Sequence, residues 1–336
     1  LTIFDVDNDG DLDIMAIEAG INLVHFSNDG LGITWNPILI TTQTSIRMAI
    51  EPIDSDRDGD LDLLVYGKLP ELANEHGIKL MKNDGIGNFN FDKVIASGKE
   101  YHQRKGLIVN DFNNDGYFDI AVVTPYVLNV FDNGVNLLIA DKNGNFTETR
   151  IGDAAEYAEI LTSTDINNDG VVDLMNIGYQ CCFNWWTNDG NANLTQTQSV
   201  NFNYNSTRST GLEYGDLDGD GFTDILVGFN FGGHNTTANA AWFRNMYATL
   251  DDFELLPISD KIFNVTDLKA VDLDNDGDLD VIASSTFDNK ITTIFHKYAV
   301  NDFESFFLLE EVEDAIIDLE NHTVDVTVEN DANLSK

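Results

Sequence analysis

One nine-residue string, Asp-x-Asp/Asn-x-Asp-Gly-x-x-Asp, occurs six times in the chain, beginning at Asp5, Asp54, Asp111, Asp165, Asp216 and Asp272. Successive copies lie 49, 57, 54, 51 and 56 residues apart. A spacing of about 53 residues marks one supersecondary unit repeated in tandem, a pattern in which each unit buries its apolar surface against its neighbours. The composition agrees with a turn-rich rather than a helical unit. There are 42 Asp against 16 Glu, with 37 Asn, and Asp and Asn favour turns and caps where Glu favours helix interiors. At 336 residues the length would allow two or three domains, but a repeat-built domain also reaches this size, and a single domain over residues 1–336 is expected.

Each string has the chemistry of a calcium loop. A hard cation takes several oxygen ligands from alternate positions of a tight loop, with glycine where the chain turns sharply. Position 1 is Asp5, Asp54, Asp111, Asp165, Asp216 or Asp272. Position 3 is Asp7, Asp56, Asn113, Asn167, Asp218 or Asp274, and position 5 is Asp9, Asp58, Asp115, Asp169, Asp220 or Asp276. Position 7, which would offer its backbone carbonyl, is Asp11, Asp60, Tyr117, Val171, Phe222 or Asp278. Position 9 is Asp13, Asp62, Asp119, Asp173, Asp224 or Asp280. Three or four carboxylates this close together repel unless a cation lies among them, so about six Ca²⁺ ions are expected. An EF-hand starts in the same way but needs a bidentate Glu at position 12. Here that position holds Ala16, Val65, Val122, Asn176, Val227 and Ala283. The flanks are short β-branched runs such as Leu61–Tyr66 and Phe118–Val123, which read as strands.

A second element follows each string: an aromatic or aliphatic pair and then a turn, as in HFSNDG at 25–30, LMKNDG at 80–85, IADKNG at 139–144 and WWTNDG at 185–190. Asn-Asp-Gly between apolar runs is a hairpin signal. Each unit is therefore four strands, and four-stranded antiparallel units of this length in tandem point to an all-β fold, a β-propeller. With Trp185-Trp186-Thr187-Asn188-Asp189-Gly190 the repeat resembles the FG-GAP/VCBS family of integrin-alpha-like propellers. In that family a calcium loop joins the first two strands of each blade and W-[YF]-x-N-D-G marks the third. The resemblance covers about residues 1–300 and implies secretion or surface display, often within a larger adhesin or carbohydrate-acting protein. Trp186 is expected to share the register of Phe26, Met81, Phe243 and Phe295 as packing between blades.

Six loops and a degenerate repeat over 312–336 favour seven blades. The alternative is six, with residues 312–328 closing a ring whose first blade starts only at Leu1–Phe4. No calcium is expected in the degenerate copy, which lacks the glycine. Leu1–Phe4 carries no basic region or cleavage site, so no leader is expected there, and the chain is expected to be the mature part of a longer precursor.

Strand alternation puts the acidic loops and the Asn-Asp-Gly turns on one face. The connections on the opposite face are lengthened at about 66–78, 124–135 and 229–240, and long loops on a rigid scaffold are where ligands are usually met. Ligand-binding candidates are Tyr126, Phe229, Phe231, His234 and Trp185. Tyr101, His102, Arg104 and Lys105, between repeats two and three, combine an aromatic ring, a base and two cations. They are the candidate catalytic set if the protein is a polysaccharide lyase, with Tyr101 or His102 as base and Arg104 or Lys105 neutralising a uronate. Cys181 and Cys182 are the only cysteines, and an adjacent pair is either a vicinal disulfide or two thiols.

The formal net charge is −40. It argues against nucleic acid and anionic membrane as partners, since phosphate binding needs a basic footprint. Of the 58 acidic residues, 22 fall at positions 1, 3, 5 and 9 of the strings, so the charge is in good part a set of cation sites. No run of 18 apolar residues occurs, so no membrane insertion is expected. The function expected is an extracellular, calcium-stabilised propeller that binds glycan or protein without chemistry of its own, alone or within a larger surface protein. The alternatives are the lyase and a structural spacer in a surface complex.

Overall fold

The run Leu63-Leu64-Val65-Tyr66 is apolar at every position rather than at alternate ones, and such a strand needs cover on both faces. In the computed structural model all four side chains are at most 1 % exposed. The structure describes residues 2–18, 22–31, 34–42, 49–69, 75–97, 106–124, 134–153, 160–177, 182–201, 207–231, 240–245, 253–258, 264–273, 277–285, 290–295, 310–311, 315–318 and 323–326.

The described strands fall into six sheets, each in chain order. The first holds β1 (Thr2–Phe4), β2 (Asp13–Glu18), β3 (Asn22–Asn28) and β4 (Trp35–Thr42). The second holds β5 (Ala49–Ile53), β6 (Asp62–Leu69), β7 (Glu75–Asn83) and β8 (Phe89–Ser97). The third holds β9 (Leu107–Asn110), β10 (Asp119–Thr124), β11 (Gly134–Ala140) and β12 (Phe146–Asp153). The fourth holds β13 (Ile160–Thr164), β14 (Asp173–Ile177), β15 (Cys182–Asn188) and β16 (Leu194–Asn201). The fifth holds β17 (Thr207–Gly215), β18 (Asp224–Phe231), β19 (Ala240–Asn245) and β20 (Phe253–Pro257). The sixth begins with β21 (Val265–Val271), β22 (Asp280–Ser285) and β23 (Lys290–Phe295). It is completed by β24 (Glu310–Glu311), β25 (Ala315–Asp318) and β26 (Thr323–Val326). The fold is an all-β propeller of six blades.

Six replaces the seven favoured from the sequence. The C-terminal segment makes no sheet of its own. Glu311 pairs with Ile294, Ala315 pairs with Ile291, and β26 pairs with β25, so the sixth sheet grows to six strands. Nor does that segment complete the first blade, because Thr2, Ile3 and Phe4 already pair with Met15, Ile14 and Asp13. The outer edge of β23 offers open backbone donors and acceptors, which the C-terminal hairpin takes up.

The chain forms two compact units, Leu1–Ser163 with Thr187–Thr195, and Thr164–Trp186 with Gln196–Lys336. Sheets one to three belong to the first and sheets five and six to the second, and the strands of sheet four fall on both sides of the division. Within the first unit, Phe4, Val6, Met15 and Leu23 pack against Ile50, Leu63, Val65 and Met81 of sheet two. The other side of sheet two, Leu64, Tyr66, Ile78 and Leu80, packs against Leu107, Ile120, Val122 and Leu138 of sheet three. Odd and even positions of β6 thus belong to different cores, which is why its sequence does not alternate. In the second unit Leu226, Ala240 and Trp242 meet Val265, Leu268, Val281, Ala283 and Ile294.

Two details differ from the sequence reading. Phe26, Met81, Leu138, Trp186 and Phe243 do share one register, each opposite the residue that follows its loop's last Asp. In sheet six that place is taken by Ile294, opposite Val281, and not by Phe295. Part of the extra length after loops two and five is strand rather than loop. Lys68 pairs with His76 and Leu69 with Glu75, while β18 runs on to Phe231, which pairs with Thr207.

Candidate metal centres

Each acidic string connects the first and second strands of its sheet. Position 4 is left-handed in every loop where it is described: φ is 58° at Asn8, 65° at Arg57, 56° at Asn114, 57° at Asn168 and 69° at Gly219. The position-6 glycines follow with φ between 82° and 101°, a range that L side chains rarely adopt. These residues curl the chain so that its own N–H groups fix the carboxylates. The position-6 N–H donates to the position-1 carboxylate at 3.0 Å for Gly10–Asp5, 2.7 Å for Gly116–Asp111, 2.8 Å for Gly170–Asp165, 2.9 Å for Gly221–Asp216 and 3.1 Å for Gly277–Asp272. The position-7 N–H donates to the position-5 carboxylate at 2.8–3.0 Å in loops one to five.

The position-9 aspartates are at most 2 % exposed. Asp13, Asp119, Asp224 and Asp62 each use both oxygens. One accepts the N–H of position 2, from Val6, Phe112, Leu217 or Ser55, at 3.0–3.4 Å. The other accepts the N–H of the last residue of the third strand, from Asn28, Ala140, Asn245 or Asn83, at 2.7–2.9 Å. A carboxylate has about four lone-pair sites, so these bonds leave room for a cation. The Trp242 side chain, beside Asp224 in sheet five, pulls its carboxyl down. His25 takes the corresponding place in sheet one, with Nε2 3.1 Å from Asp13 Oδ2.

The carboxylates converge. Ligand atoms of Asp5, Asp7 and Asp9 lie within 4.8 Å of one another, as do those of Asp54, Asp56 and Asp58, of Asp216, Asp218 and Asp224, and of Asp7, Asp13 and His25. Buried oxygens of Asp5, Asp7, Asp216 and Asp272 accept no hydrogen bond, which is costly for a charged group unless a cation is its partner. Burial, then the Asp13 and Asp9 charges, raise the Asp7 carboxyl. Burial pushes Asp119 up to about 6 against the pull of the Ala140 and Phe112 N–H groups, with the Asp115 and Asp111 charges adding to the rise. Burial also pushes Asp224 up to about 7, against the Asn245 N–H and with the Asp218 charge. Apart from His25 in sheet one, these donors are all oxygen, anionic and crowded, and fit a hard divalent cation.

A family model described as an FG-GAP-like repeat matches residues 5–65 and 177–227, and a second, described as an FG-GAP repeat, matches 215–243. FG-GAP-like repeats are thus detected over these residues. No curated protein matches it. Among solved structures, one of BBS1N in complex with ARL6DN, soaked with lead, is 11 % identical, with a TM-score of 0.51 over 99 % of this chain and 93 % of that one. The SapL1 lectin in complex with alpha methyl fucoside is 11 % identical, with a TM-score of 0.47 over 92 % and 94 %. A protein from Lactobacillus plantarum is 13 % identical, with a TM-score of 0.44 over 93 % and 94 %. At 11 % identity the likeness to the BBS1N structure is one of fold.

Three features of the FG-GAP loops escape a reading of single repeats. The position-4 side chain reaches the next loop: Asn8 Nδ2 donates to Asp60 Oδ1 at 2.5 Å, Arg57 Nη2 to the Asp115 carbonyl at 3.4 Å, and Asn168 Nδ2 to the Gly221 carbonyl at 2.8 Å. The Asn that ends the third strand is a staple to the preceding repeat. Asn83, Asn188 and Asn245 donate to the carbonyls of Val6, Phe112 and Ile166 at 2.8, 2.8 and 3.2 Å. Ala140 stands at that place in sheet three and has no amide to give. Finally, the turn is wider than a two-residue hairpin. It runs from Asp84 to Asn88, Asp141 to Asn145 and Asp189 to Asn193, each closed by the Asn amide on the Asp carboxylate at 2.8–3.1 Å.

Of the ligand-binding candidates, Trp185 and Phe229 are 1 % exposed. The Trp185 ring packs on Phe253 with centroids 5.4 Å apart. Both are therefore core residues rather than surface platforms, a correction that follows from their place on central strands covered on both faces. Phe231 ends β18. Tyr126, His234, the set Tyr101, His102, Arg104 and Lys105, Cys181, and the position-3 and position-5 residues Asp274 and Asp276 lie outside the described residues. Among the described residues no helix is long and apolar enough to cross a membrane.

Proposed function

We propose that this protein is a non-catalytic binding module whose FG-GAP loops hold calcium as a structural ion, with a glycan or protein ligand taken by the opposite ends of the sheets. The observation that carries this reading is the wiring of the position-9 aspartates. Each is buried, and those of loops one, two, three and five tie their own loop to their own third strand through two backbone N–H groups. A cation held there braces one sheet and, through Asn8, Arg57 and Asn168, the next loop along. That is the work of a structural ion. The connections lengthened by sequence lie at the other ends of the sheets, where a rigid scaffold presents ligand-binding residues. Sites of this exposed, Asp-rich type work where calcium is abundant, with dissociation constants of roughly 10⁻⁴ to 10⁻³ M in extracellular modules. The protein accordingly acts outside the cell, alone or within a larger surface protein.

A glycan array probed with the purified protein, in calcium and again in chelator, tests the reading. Binding to a defined glycan class that is lost or weakened in chelator is expected. An array without binders, together with a pull-down from cell surfaces without partners, favours the structural spacer.

A further inference from the structure

Loops two and five each receive a basic side chain from the third strand of their own sheet. Lys82, one residue before Asn83, places Nζ 2.5 Å from Asp56 Oδ2 and 2.8 Å from Asp62 Oδ2, the carboxylates at positions 3 and 9 of one loop. Arg244, at the corresponding place before Asn245, pairs its Nε with Asp218 at position 3 and holds Nη2 3.9 Å from Asp220 at position 5. Each basic group has one buried and one more exposed carboxylate partner. Asp62 and Asp218 are 0 % and 4 % exposed, and the two basic side chains are 27 % and 31 % exposed. The residues at the same place in repeats one, three and four are Ser27, Ile139 and Thr187. Loops three and four have Asn113 and Asn167 at position 3 and so carry one carboxylate fewer, whereas loops one, two, five and six keep four; loop one, with Ser27 at this place, has His25 beside Asp13 instead.

We propose that loops two and five hold a tethered cation, Lys82 or Arg244, in place of calcium, which leaves calcium to the other loops. The ammonium and the guanidinium sit on the very carboxylates that a calcium ion would need at 2.3–2.6 Å, so the two occupants exclude each other. Calcium entering loop two must displace a group whose effective concentration is set by its own backbone, on the order of millimolar or above for a short tether. The extra carboxylate at position 3 is the partner of that basic group: Asp56 faces Lys82 and Asp218 faces Arg244, while Asn113 in loop three needs no such partner. The protein therefore binds fewer calcium ions than its six acidic strings imply. This inference rests on the reading of the loops as calcium sites.

The test counts bound calcium by native mass spectrometry and calorimetric titration on the whole protein, its Lys82→Met and Arg244→Met variants, and an Asp115→Ala variant in loop three. Each methionine variant is expected to bind one calcium ion more than the parent. Its melting temperature is expected to fall below the parent's in chelator and to recover in calcium. Methionine variants that bind the parent's number of ions at the parent's affinity overturn the inference. Should they fail to fold, Ile139→Lys places a cation at the corresponding point of loop three and is expected to remove one ion; an unchanged count overturns the inference equally. Asp115→Ala separates the two layers, since it loses one ion if loop three is a calcium site. A parent that binds no calcium at all overturns the calcium reading itself.

Discussion

The guanidinium of Arg57 lies over the ring of Tyr117, 3.8 Å from its centroid. Arg57 is position 4 of loop two and Tyr117 is position 7 of loop three, so the contact carries one acidic loop onto the next. Arg57 holds this place in a left-handed conformation, φ 65°, which costs an arginine of order 1 kcal/mol and persists because the surroundings repay it. A cation over an exposed ring is worth about 0.5–1 kcal/mol. A double-mutant cycle of Arg57→Ala and Tyr117→Ala in urea unfolding is therefore expected to give a coupling energy of about 0.5–1 kcal/mol. Coupling indistinguishable from zero would mean that the two loops are not linked through this pair.

Asn83 is nearly buried. Its amide donates to the Val6 carbonyl of the preceding repeat at 2.8 Å and to the Leu61 carbonyl at 3.1 Å, while its own oxygen accepts the Gly87 N–H. Removing the side chain strands these buried groups, each costing about 1–3 kcal/mol when left unpaired. Asn83→Ala is expected to lower the unfolding free energy by about 2–4 kcal/mol. Asn83→Asp keeps the acceptor but loses the amide, and is expected to be nearly as harmful. Chemical denaturation of both variants checks this, and a loss below about 0.5 kcal/mol would remove the staple role.

The acidic loops were legible because their information is local: spacing, glycine and carboxylates within nine residues specify one turn and one kind of ligand. The strands were legible from short apolar runs. The blade number was not, since it turns on which edge the segment around Ala315 pairs with, and Ala315 meets Ile291 through backbone atoms that leave no mark on the side-chain pattern. The staples were hidden for a related reason. Asn83 and Val6 are 77 residues apart, and nothing at either position shows that they meet. Trp185 could stack on a sugar, though packing was the favoured reading from the sequence, and the cover over both faces of its sheet decides for packing. Lys82 and Arg244 read as ordinary strand charges until the strand is folded back beside its own loop.

Gly228 on β18 sits hard against sheet six. A Cβ built there would lie 2.6 Å from Val265 Cγ1 and 2.7 Å from Leu268 Cδ2. Its backbone is not left-handed, so the glycine is required by closeness rather than by φ. Both neighbours are at most 1 % exposed and have little room to give. Gly228→Ala is expected to destabilise the protein by about 1–3 kcal/mol through overpacking, and pairing it with Leu268→Ala is expected to restore part of that loss. Urea unfolding of the single and double variants is the measurement. An unaffected Gly228→Ala would show that the two sheets separate without cost.

Calcium and protons compete for the same carboxylates, and the direction of that competition follows from burial. Asp119 is pushed up to about 6 and Asp224 to about 7, against about 3.9 in an unfolded chain. In chelator the folded state therefore binds protons that the unfolded state releases. The stabilising contribution is fully present below about 3.9 and is lost as pH rises through about 6 to 7. At Asp119, in a loop that no basic side chain fills, a bound calcium ion reverses the dependence, because it holds the ionised form, so that lowering the pH through about 6 weakens its binding by up to about tenfold per unit for each proton taken up. Melting curves recorded between pH 5 and pH 8, with calcium and with chelator, are expected to diverge as pH rises, with the calcium-dependent gain smallest at pH 5 and largest at pH 8. A gain that is the same at both ends of the range would show that Asp119, in loop three, is not where calcium binds.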